Sequence, residues 1–210
     1  MAQDVPEGCW STAEVDDRAS NVQSVFGYGS LIYKSEFDHS HCEVAYIDGY
    51  VRRFYQGSID HRGTADRPGR VVTLLKVDVD EDAKYEPGPA RVYGMLYHLR
   101  AETRTEVLAS LDFREKNGYT RTVEEAFASD GKPLGCVAVY RATPENPQYA
   151  GPASPRSLGE HIAGCSGPSG PNPEYVFRLA EALKTITPDD ATADRHAEAV
   201  SQSCRAAISS

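Results

Sequence analysis

The chain lacks the features that mark membrane-spanning, secreted and nucleic-acid-binding proteins. No apolar run approaches the roughly 18 residues that a transmembrane helix needs. The N-terminus has neither the basic segment nor the apolar segment of a secretory signal. Basic residues are also in the minority, since 22 Lys and Arg stand against 31 Asp and Glu and give a net charge of −9 at pH 7. Nucleic acids and anionic membranes require a basic face, so the sequence argues against both partners.

Closely spaced cysteines are missing as well. The five cysteines form no Cys-x-x-Cys pair and lie far apart, at Cys9, Cys42, Cys136, Cys165 and Cys204. A disulfide framework needs a denser and even-numbered set in a smaller chain. We therefore expect reduced thiols that pack as small hydrophobic groups, in a protein of the cytoplasm.

A zinc-binding pattern is absent too. The residues that come nearest to one are His39, His41, Cys42 and His61. Their spacing matches no closed structural zinc motif, so we expect no metal ion. A catalytic serine is not indicated either, because Ser30 lies in no Gly-x-Ser-x-Gly elbow.

What the sequence does have is the composition of one globular domain. Its 210 residues are 40% hydrophobic and 25% charged, which is ordinary for a chain that folds around a single core. Residues 1–21 are polar and acidic, so we expect a disordered or loosely docked tail. The domain is predicted to span 22–187, and residues 188–210 to form a C-terminal helix and tail. Internal repeats and low-complexity tracts are absent.

Strand patterns dominate the first two-thirds of the chain and helix patterns the last third. β-branched and aromatic residues predict strands at 22–28, 44–55, 70–79, 91–99, 119–127 and 134–141. Helices are predicted at 101–114, 157–165 and 191–208. A further helix is predicted to begin with Asn172 as its N-cap and Pro173 at the first helical position. This order favours an α+β fold over a doubly wound α/β sheet.

The most informative stretch is Phe-Gly-Tyr-Gly-Ser-Leu-Ile at 26–32, at the end of the first predicted strand. Two glycines at alternate positions let the backbone adopt positive φ and come close to a ligand. Such a turn can aim successive backbone N–H groups at one point and hold an anion or a developing oxyanion. The stretch therefore predicts a ligand-binding turn.

A basic and aromatic segment follows at 52–63, in the second predicted strand and beyond it. It holds three arginines in an otherwise acidic protein. Because arginine pairs with carboxylates through two hydrogen bonds, the segment indicates a site for a small anionic molecule. The alternative is a strand whose charged edge surrounds buried Phe54 and Tyr55.

A single glutamate, Glu115, lies between Arg114 and Lys116 at the end of a predicted helix. As a catalytic base it needs a pocket that raises its pKa from the reference of about 4.3 towards neutral. The flanking cations oppose that shift, so burial or the charge of a ligand would have to dominate. The alternative is a glutamate that faces solvent.

These motifs agree, in order, with one known family. The segments that carry the likeness are 26–32, 52–63, 68–74, 111–119 and 163–175, and the likeness runs from about Val25 to Leu183. They resemble the ChaC-type glutathione-specific gamma-glutamylcyclotransferases. The resemblance implies a compact mixed β-barrel with helices packed around it. It also implies cleavage of glutathione to 5-oxoproline and L-cysteinylglycine without a metal or an organic cofactor.

The resemblance implies residue roles as well. Glu115 matches the family's catalytic glutamate, and Val25 to Leu31 matches the loop that holds the gamma-glutamyl group. The arginines of segment 52–63 are candidates to bind the glycyl carboxylate or to order the loop. Its polar residues and Tyr119 are candidates to hydrogen-bond the substrate. The expected substrate-binding residues are Val25, Phe26, Gly27, Tyr28, Gly29, Ser30, Leu31, Arg52, Arg53, Gln56, Ser58, Asp60, His61, Arg62 and Tyr119.

Two other functions stay open beside this one. The first is a cyclotransferase for other gamma-glutamyl amines or gamma-glutamyl amino acids. The second is a non-catalytic module that uses the same pocket to regulate cation transport. The intact turn motif and Glu115 favour the enzyme, with glutathione as its small-molecule partner. The sequence is compatible with a monomer or a dimer.

Overall fold

The computed structural model describes residues 22–78, 90–114, 119–189 and 193–210. Several sequence predictions fall outside these ranges. They concern the N-terminal tail at 1–21 with Cys9, the last residue of the third predicted strand at position 79, and Glu115.

Five strands form a closed barrel in the order β1-β5-β2-β6-β7. These strands are β1 (Ser24–Gly27), β2 (His41–Asp48), β5 (Arg91–His98), β6 (Tyr119–Ala128) and β7 (Pro133–Ala142). Neighbours pair antiparallel except at the seam, where β1 meets β7 in parallel and Val25 lies opposite Ala138. The closed barrel with its packed helices confirms the predicted α+β class.

Two further strands, β3 (Tyr50–Ser58) and β4 (Gly69–Lys76), pair antiparallel in a sheet of their own. The prediction of one strand over 44–55 is therefore wrong. Gly49 separates β2 from β3 and has a φ of +80°, a conformation that glycine adopts without steric cost. The chain turns there, so β2 joins the barrel and β3 begins the separate hairpin.

Four helices pack around these sheets in the described ranges. They are α1 (Arg104–Arg114), α2 (Pro155–Ala163), α3 (Asn172–Ile186) and α4 (Arg195–Ser209). A short 3₁₀ helix, Ser30–Ile32, follows β1, and a two-residue ladder joins Ser166–Gly167 to Gly170–Pro171. None of the described helices combines the length and the apolar character that crossing a membrane requires.

Strand β1 lies between two hydrophobic cores because its side chains alternate in direction. Phe26 faces the larger core, which joins the barrel and the β3–β4 hairpin to the last three helices. Val25 faces the smaller core, together with Leu108 and Leu111 of α1. The end of β1, where the predicted ligand-binding turn begins, is thus fixed by packing on both sides.

The predicted role of Asn172 as an N-cap is wrong. Pro171 occupies the cap position of α3, and Asn172 is the first residue of the helix. The Asn172 side chain is fully buried. It accepts a hydrogen bond from Arg70 N at 2.6 Å and donates one to Arg70 O at 2.8 Å. The amide therefore satisfies the backbone of strand β4 instead of its own helix, and it ties α3 to the hairpin.

Helix α4 belongs to the core, although the sequence placed it in a segment after the domain. The carboxylate of Asp194 caps it by accepting a hydrogen bond from Ala197 N at 2.9 Å. Ala197, Val200 and Cys204 are buried in the larger core. The predicted boundary at 187 therefore divides residues that pack together.

Candidate active site

A cavity of about 550 Å³ opens where the turn after β1, the end of β3 and the start of α3 meet. Small-molecule sites commonly have about this volume. The cavity is lined by residues of the turn at 27–31 and of the segment 56–62. Arg114 and Tyr119, which flank residues 115–118 in the sequence, line it too. Three motifs that are distant in the sequence therefore meet at one cavity.

The glycines of the turn provide space rather than an unusual backbone conformation. The alternating glycines predicted positive φ, but φ of Gly29 is −116° and Gly27 is not among the described glycines with positive φ. A Cβ atom on Gly27 would lie 2.5 Å from Leu31 Cβ. One on Gly29 would lie 3.2 Å from the hydroxyl of Tyr175 and from Cγ2 of Val72. Both glycines thus allow close approach of neighbouring groups.

Arg52 forms a hydrogen bond with the backbone of the turn. Its Nε donates to the carbonyl of Tyr28 at 2.9 Å, and its Nη2 donates to the carbonyl of Tyr93. Its Nη1 forms an ion pair with the carboxylate of Asp194. Only 2% of Arg52 is exposed. The guanidinium group therefore orders the turn, which is one of the two roles that the sequence analysis gave it.

Three of the expected substrate-binding residues are not brought to the cavity. Arg52 is committed to the contacts just described, and the buried Arg53 donates through Nη1 to the carbonyl of Arg52 at 3.1 Å. Val25 packs in the smaller core. The other expected residues do line the cavity: Phe26, Gly27, Tyr28, Gly29, Ser30, Leu31, Gln56, Ser58, Asp60, His61, Arg62 and Tyr119.

The end of β3 supplies polar groups to the cavity wall. Gln56 is 1% exposed, and its Oε1 has no hydrogen-bond partner among the described residues. Ser58 Oγ accepts a hydrogen bond from Arg62 N at 3.0 Å and so shapes the segment between them. His61 Nδ1 lies 3.1 Å from Ser169 Oγ. This wall therefore contains a buried amide oxygen without a hydrogen-bond partner among the described residues.

Helix α1 and strand β7 form another wall. The Tyr140 hydroxyl donates to Asp112 Oδ1 at 2.7 Å, and Arg121 pairs with the same carboxylate at 3.4 Å. Burial and the bond to Asp112 raise the pKa of Tyr140 well above its ordinary value. The Tyr28 hydroxyl in turn donates to the carbonyl of Tyr140 at 2.7 Å. This chain of bonds connects the turn to the end of α1, after which Glu115 follows in the sequence.

Two carboxylates at the cavity each lie between two cations. Glu36 pairs with Lys34 at 2.5 Å and with Arg114 at 3.6 Å. The hydrogen bond from Lys34, and the charges of Lys34 and Arg114, hold the pKa of Glu36 below its ordinary value. The second group consists of Arg62, Glu174 and Arg178. Glu174 lies 3.4 Å from Arg62 and 2.7 Å from Arg178. Each of these two groups of three residues carries a net charge of +1.

Sequence reasoning missed several residues of the cavity. They are Tyr33, Tyr140, Glu174, Tyr175 and Arg178. The spacing of Glu174 and Arg178 on a predicted helix indicates an ion pair between them. It does not indicate that the pair faces the ligand-binding turn, because that contact depends on how α3 packs.

A group of three potential metal ligands lies on the barrel, away from the cavity lining. The ligand atoms of His41, Glu43 and His98 lie within 4.8 Å of one another. His98 Nε2 is 2.8 Å from Glu43 Oε1, and the rings of His41 and His98 stack at 4.0 Å. Of the four residues considered from the sequence, only His41 belongs to this group.

Comparisons with known proteins agree on one family. The family model described as ChaC-like protein matches residues 24–207. Glutathione-specific gamma-glutamylcyclotransferase 1 of Danio rerio is 40% identical over 168 residues, which cover 79% of this chain and 81% of that protein. The glutathione-specific gamma-glutamylcyclotransferase of Schizosaccharomyces pombe is 35% identical over 172 residues, or 79% and 84% of the two chains.

A solved structure has the same architecture. The crystal structure of the yeast gamma-glutamyl cyclotransferase specific to glutathione superposes with a TM-score of 0.78. The match has 29% sequence identity and covers 88% of this chain and 96% of that chain. This match supports the fold that the sequence predicted.

Proposed function

The chain belongs to the ChaC-like protein family, and we propose that it is a glutathione-specific gamma-glutamylcyclotransferase. The proposed reaction cleaves glutathione to 5-oxoproline and L-cysteinylglycine. The observation that carries this proposal is the convergence of the 27–31 turn, the 56–62 segment and both neighbours of the 115–118 segment on one cavity. The names of the relatives supply the substrate.

The nucleophile in this reaction belongs to the substrate. The α-amine of the glutamyl group attacks its own γ-carbonyl carbon and closes a five-membered lactam, and the bond to the cysteine nitrogen breaks. The cavity has to hold the amine over the carbonyl, and such alignment is worth up to about 7–11 kcal/mol of the barrier. The turn suits that task because packing of β1 and the hydrogen bond from Arg52 to Tyr28 hold it in place.

We assign the proton transfers to Glu115. The α-amine must lose a proton before it attacks, and the departing amine of cysteinylglycine must gain one, so a single carboxylate can serve as base and then as acid. The support comes from its sequence neighbours, because Arg114 and Tyr119 both line the cavity.

We assign the glutamyl end of the substrate to the turn. Backbone N–H groups of Gly27–Leu31 stabilise the γ-carbonyl oxyanion or bind the α-carboxylate, and losing one such donor typically costs about 2.7–4 kcal/mol. Gln56 Oε1 accepts a hydrogen bond from a substrate N–H group. Its burial without a partner among the described residues supports this role, since an unpaired buried acceptor is costly.

A direct assay tests the proposal. Purified protein should release 5-oxoproline from glutathione, detected by mass spectrometry, and EDTA should not reduce the rate. Glutathione should be preferred over gamma-glutamyl-alanine in the same assay. Absence of 5-oxoproline under these conditions would overturn the proposed function.

The variant Glu115→Gln tests the assignment of the proton-transfer residue. It removes the basic oxygen but keeps the shape of the side chain, so turnover should fall by at least about 100-fold, the lower range for general acid–base catalysis. The thermal midpoint should stay close to that of the wild type. The matched control is Glu160→Gln, an exposed glutamate of α2 outside the cavity lining, which should keep full activity. A Glu115→Gln variant with a large fraction of wild-type turnover would remove Glu115 from the mechanism.

We also place the reaction in the cytoplasm. The cysteines Cys42, Cys165 and Cys204 are free thiols, and reducing compartments keep thiols in that form.

A further inference from the structure

The hydroxyl of Tyr33 is buried in the cavity wall without a hydrogen-bond partner. Tyr33 lines the cavity just beyond the 3₁₀ helix Ser30–Ile32. Its Oη is shielded from solvent and meets no donor or acceptor in the described part of the chain. Buried polar groups are nearly always paired, so this hydroxyl points to a partner that the cavity receives from outside.

The charges that act on this hydroxyl belong to Arg62, Arg178 and Glu174. Burial raises the pKa of Tyr33 above its ordinary value, while the positive charges of Arg62 and Arg178 oppose the rise. The hydroxyl is therefore protonated at neutral pH and can donate a hydrogen bond. A partner that accepts a hydrogen bond and carries negative charge would fit both the hydroxyl and the arginines.

The two arginines have more positive charge than their shared partner neutralises. In the described part of the chain, both arginines pair with Glu174, which lies 3.4 Å from Arg62 Nη1 and 2.7 Å from Arg178 Nη2. Arg62 Nη1 also donates to the carbonyl of Pro171 at 3.0 Å. The Arg62 side chain is 12% exposed and that of Arg178 is 56% exposed, so one cation is fixed in the wall and the other can move towards a ligand.

This cluster shares no residue with the other net-positive group of the cavity. The other net-positive group of the cavity contains Arg114, which directly precedes Glu115 in the sequence. Glutathione has a second carboxylate, on its glycine, which lies two residues along the peptide from the glutamyl carbonyl. The second cationic group therefore matches the second carboxylate.

We propose that Tyr33, Arg62 and Arg178 form a subsite for the glycine carboxylate of glutathione. This inference rests on the proposed function for the identity of the ligand. The Tyr33 hydroxyl donates one hydrogen bond to the carboxylate, and the two guanidinium groups provide its positive charge. The subsite selects peptides that carry a carboxylate at that distance from the glutamyl group.

The experiment compares glutathione with its glycine amide, in which the carboxylate is replaced by a neutral group of similar size. Dissociation constants are measured by calorimetry on Glu115→Gln protein, so that the result does not depend on turnover. Because a hydrogen bond to a charged group is stronger than a neutral one, we expect the amide to bind about tenfold more weakly than glutathione. Turnover of both peptides by the wild type is measured in parallel.

Two variants in the same background test the named residues. Tyr33→Phe and Arg178→Met should each weaken binding of glutathione more than binding of the amide, so the tenfold difference should shrink. Arg178→Lys should restore part of it. The matched controls are Tyr50→Phe and Arg156→Met, whose side chains bind Glu124 and Glu160 away from the cavity lining, and both should preserve the full difference.

The outcomes separate the two proposals. If Tyr33→Phe and Arg178→Met keep the ratio of the two dissociation constants that Glu115→Gln alone shows, the subsite is refuted. This holds even when the wild type releases 5-oxoproline. Equal binding of the two peptides before any substitution refutes it too. If the ratio depends on these residues but the wild type yields no 5-oxoproline, the subsite stands and the proposed reaction falls.

Tyr33→Phe also has an expected effect on the thermal midpoint, and a purely structural role of the hydroxyl would give the opposite effect. Removing an unpaired buried hydroxyl should leave the thermal midpoint of the ligand-free protein unchanged or raise it. A marked fall in that midpoint would show that the hydroxyl is paired within the protein and would overturn the argument.

Discussion

At the scale of single residues, the glycines of the turn lead to a graded prediction. The Cβ of Gly27→Ala would meet Leu31 Cβ at 2.5 Å, whereas that of Gly29→Ala would meet side-chain atoms at 3.2 Å. Overpacking typically costs about 1–3 kcal/mol, so Gly27→Ala should reduce both stability and kcat/KM. Gly29→Ala should be milder, and Gly29→Val should raise KM strongly. Urea unfolding and steady-state kinetics measure these effects.

The order of the effects makes the turn assignment refutable. A Gly29→Val protein with unchanged KM and kcat would show that this turn does not bind substrate. A Gly27→Ala protein as stable as the wild type would show that the close approach of Leu31 is not required.

The arginines show where reading single residues from a sequence succeeds and where it fails. The structure brings Gln56, Ser58 and Arg62 of segment 52–63 together at the cavity, and their role in binding substrate stays a prediction. Arg52 and Arg53 lie in the same segment but are buried away from it. Every residue of β3 is buried. The sequence therefore has no alternation of apolar and polar residues that would show which side chains of β3 face the cavity. Tertiary contacts then determine whether an arginine binds a ligand or donates a hydrogen bond to a backbone carbonyl.

At the scale of elements, the start of α4 supports the turn through one carboxylate. Asp194 both caps the helix and pairs with the buried guanidinium of Arg52. Losing the cap costs about 1 kcal/mol, and leaving a buried charge unpaired costs about 3–5 kcal/mol. Asp194→Ala should therefore destabilise the fold by several kcal/mol and also lower kcat/KM, because Arg52 holds the carbonyl of Tyr28.

The comparison for Asp194→Ala is the cap of another helix. Ser154 caps α2 by accepting a hydrogen bond from Ser157 N at 3.2 Å, and its side chain pairs with no buried charge among the described residues. Ser154→Ala should cost about 1 kcal/mol in urea unfolding and leave the kinetics unchanged. Equal losses of stability in the two variants would contradict the coupling between Asp194 and Arg52.

Elements were easier to predict than the way they pack. Most strands and helices were found near their observed positions because their patterns are local. The break at Gly49 and the pairing of Asn172 with Arg70 were missed, since both depend on which sheet a segment joins. The role of Glu115 stays a prediction from the resemblance.

At the scale of the whole molecule, buried groups predict a loss of stability in alkaline solution. Burial raises the pKa of Cys204 from 9.0 to about 11. It also raises the pKa of Tyr50, Tyr140 and Tyr175. Between pH 9 and 11 the unfolded chain releases protons that the folded chain retains, so the free energy of unfolding should fall as the pH rises.

Urea unfolding between pH 7 and pH 10.5 measures this decline. The curve should be flat near neutral pH and slope downwards above about pH 9. Cys204→Ala should reduce the slope, whereas Cys42→Ser, at an exposed position, should not change it. A free energy of unfolding that stays constant to pH 10.5 would contradict the role of buried thiol and phenol groups.

The contact between Arg52 and Asp194 also sets an order of events during synthesis. The two residues are 142 positions apart, and strand β1 pairs with β5 and β7, which the ribosome produces much later. A nascent chain therefore holds its glycine-rich turn long before it has the partners that shape it. Products of premature termination before Asp194 would lack the last of these partners, so we expect the turn to reach its final geometry only in chains that extend beyond Asp194.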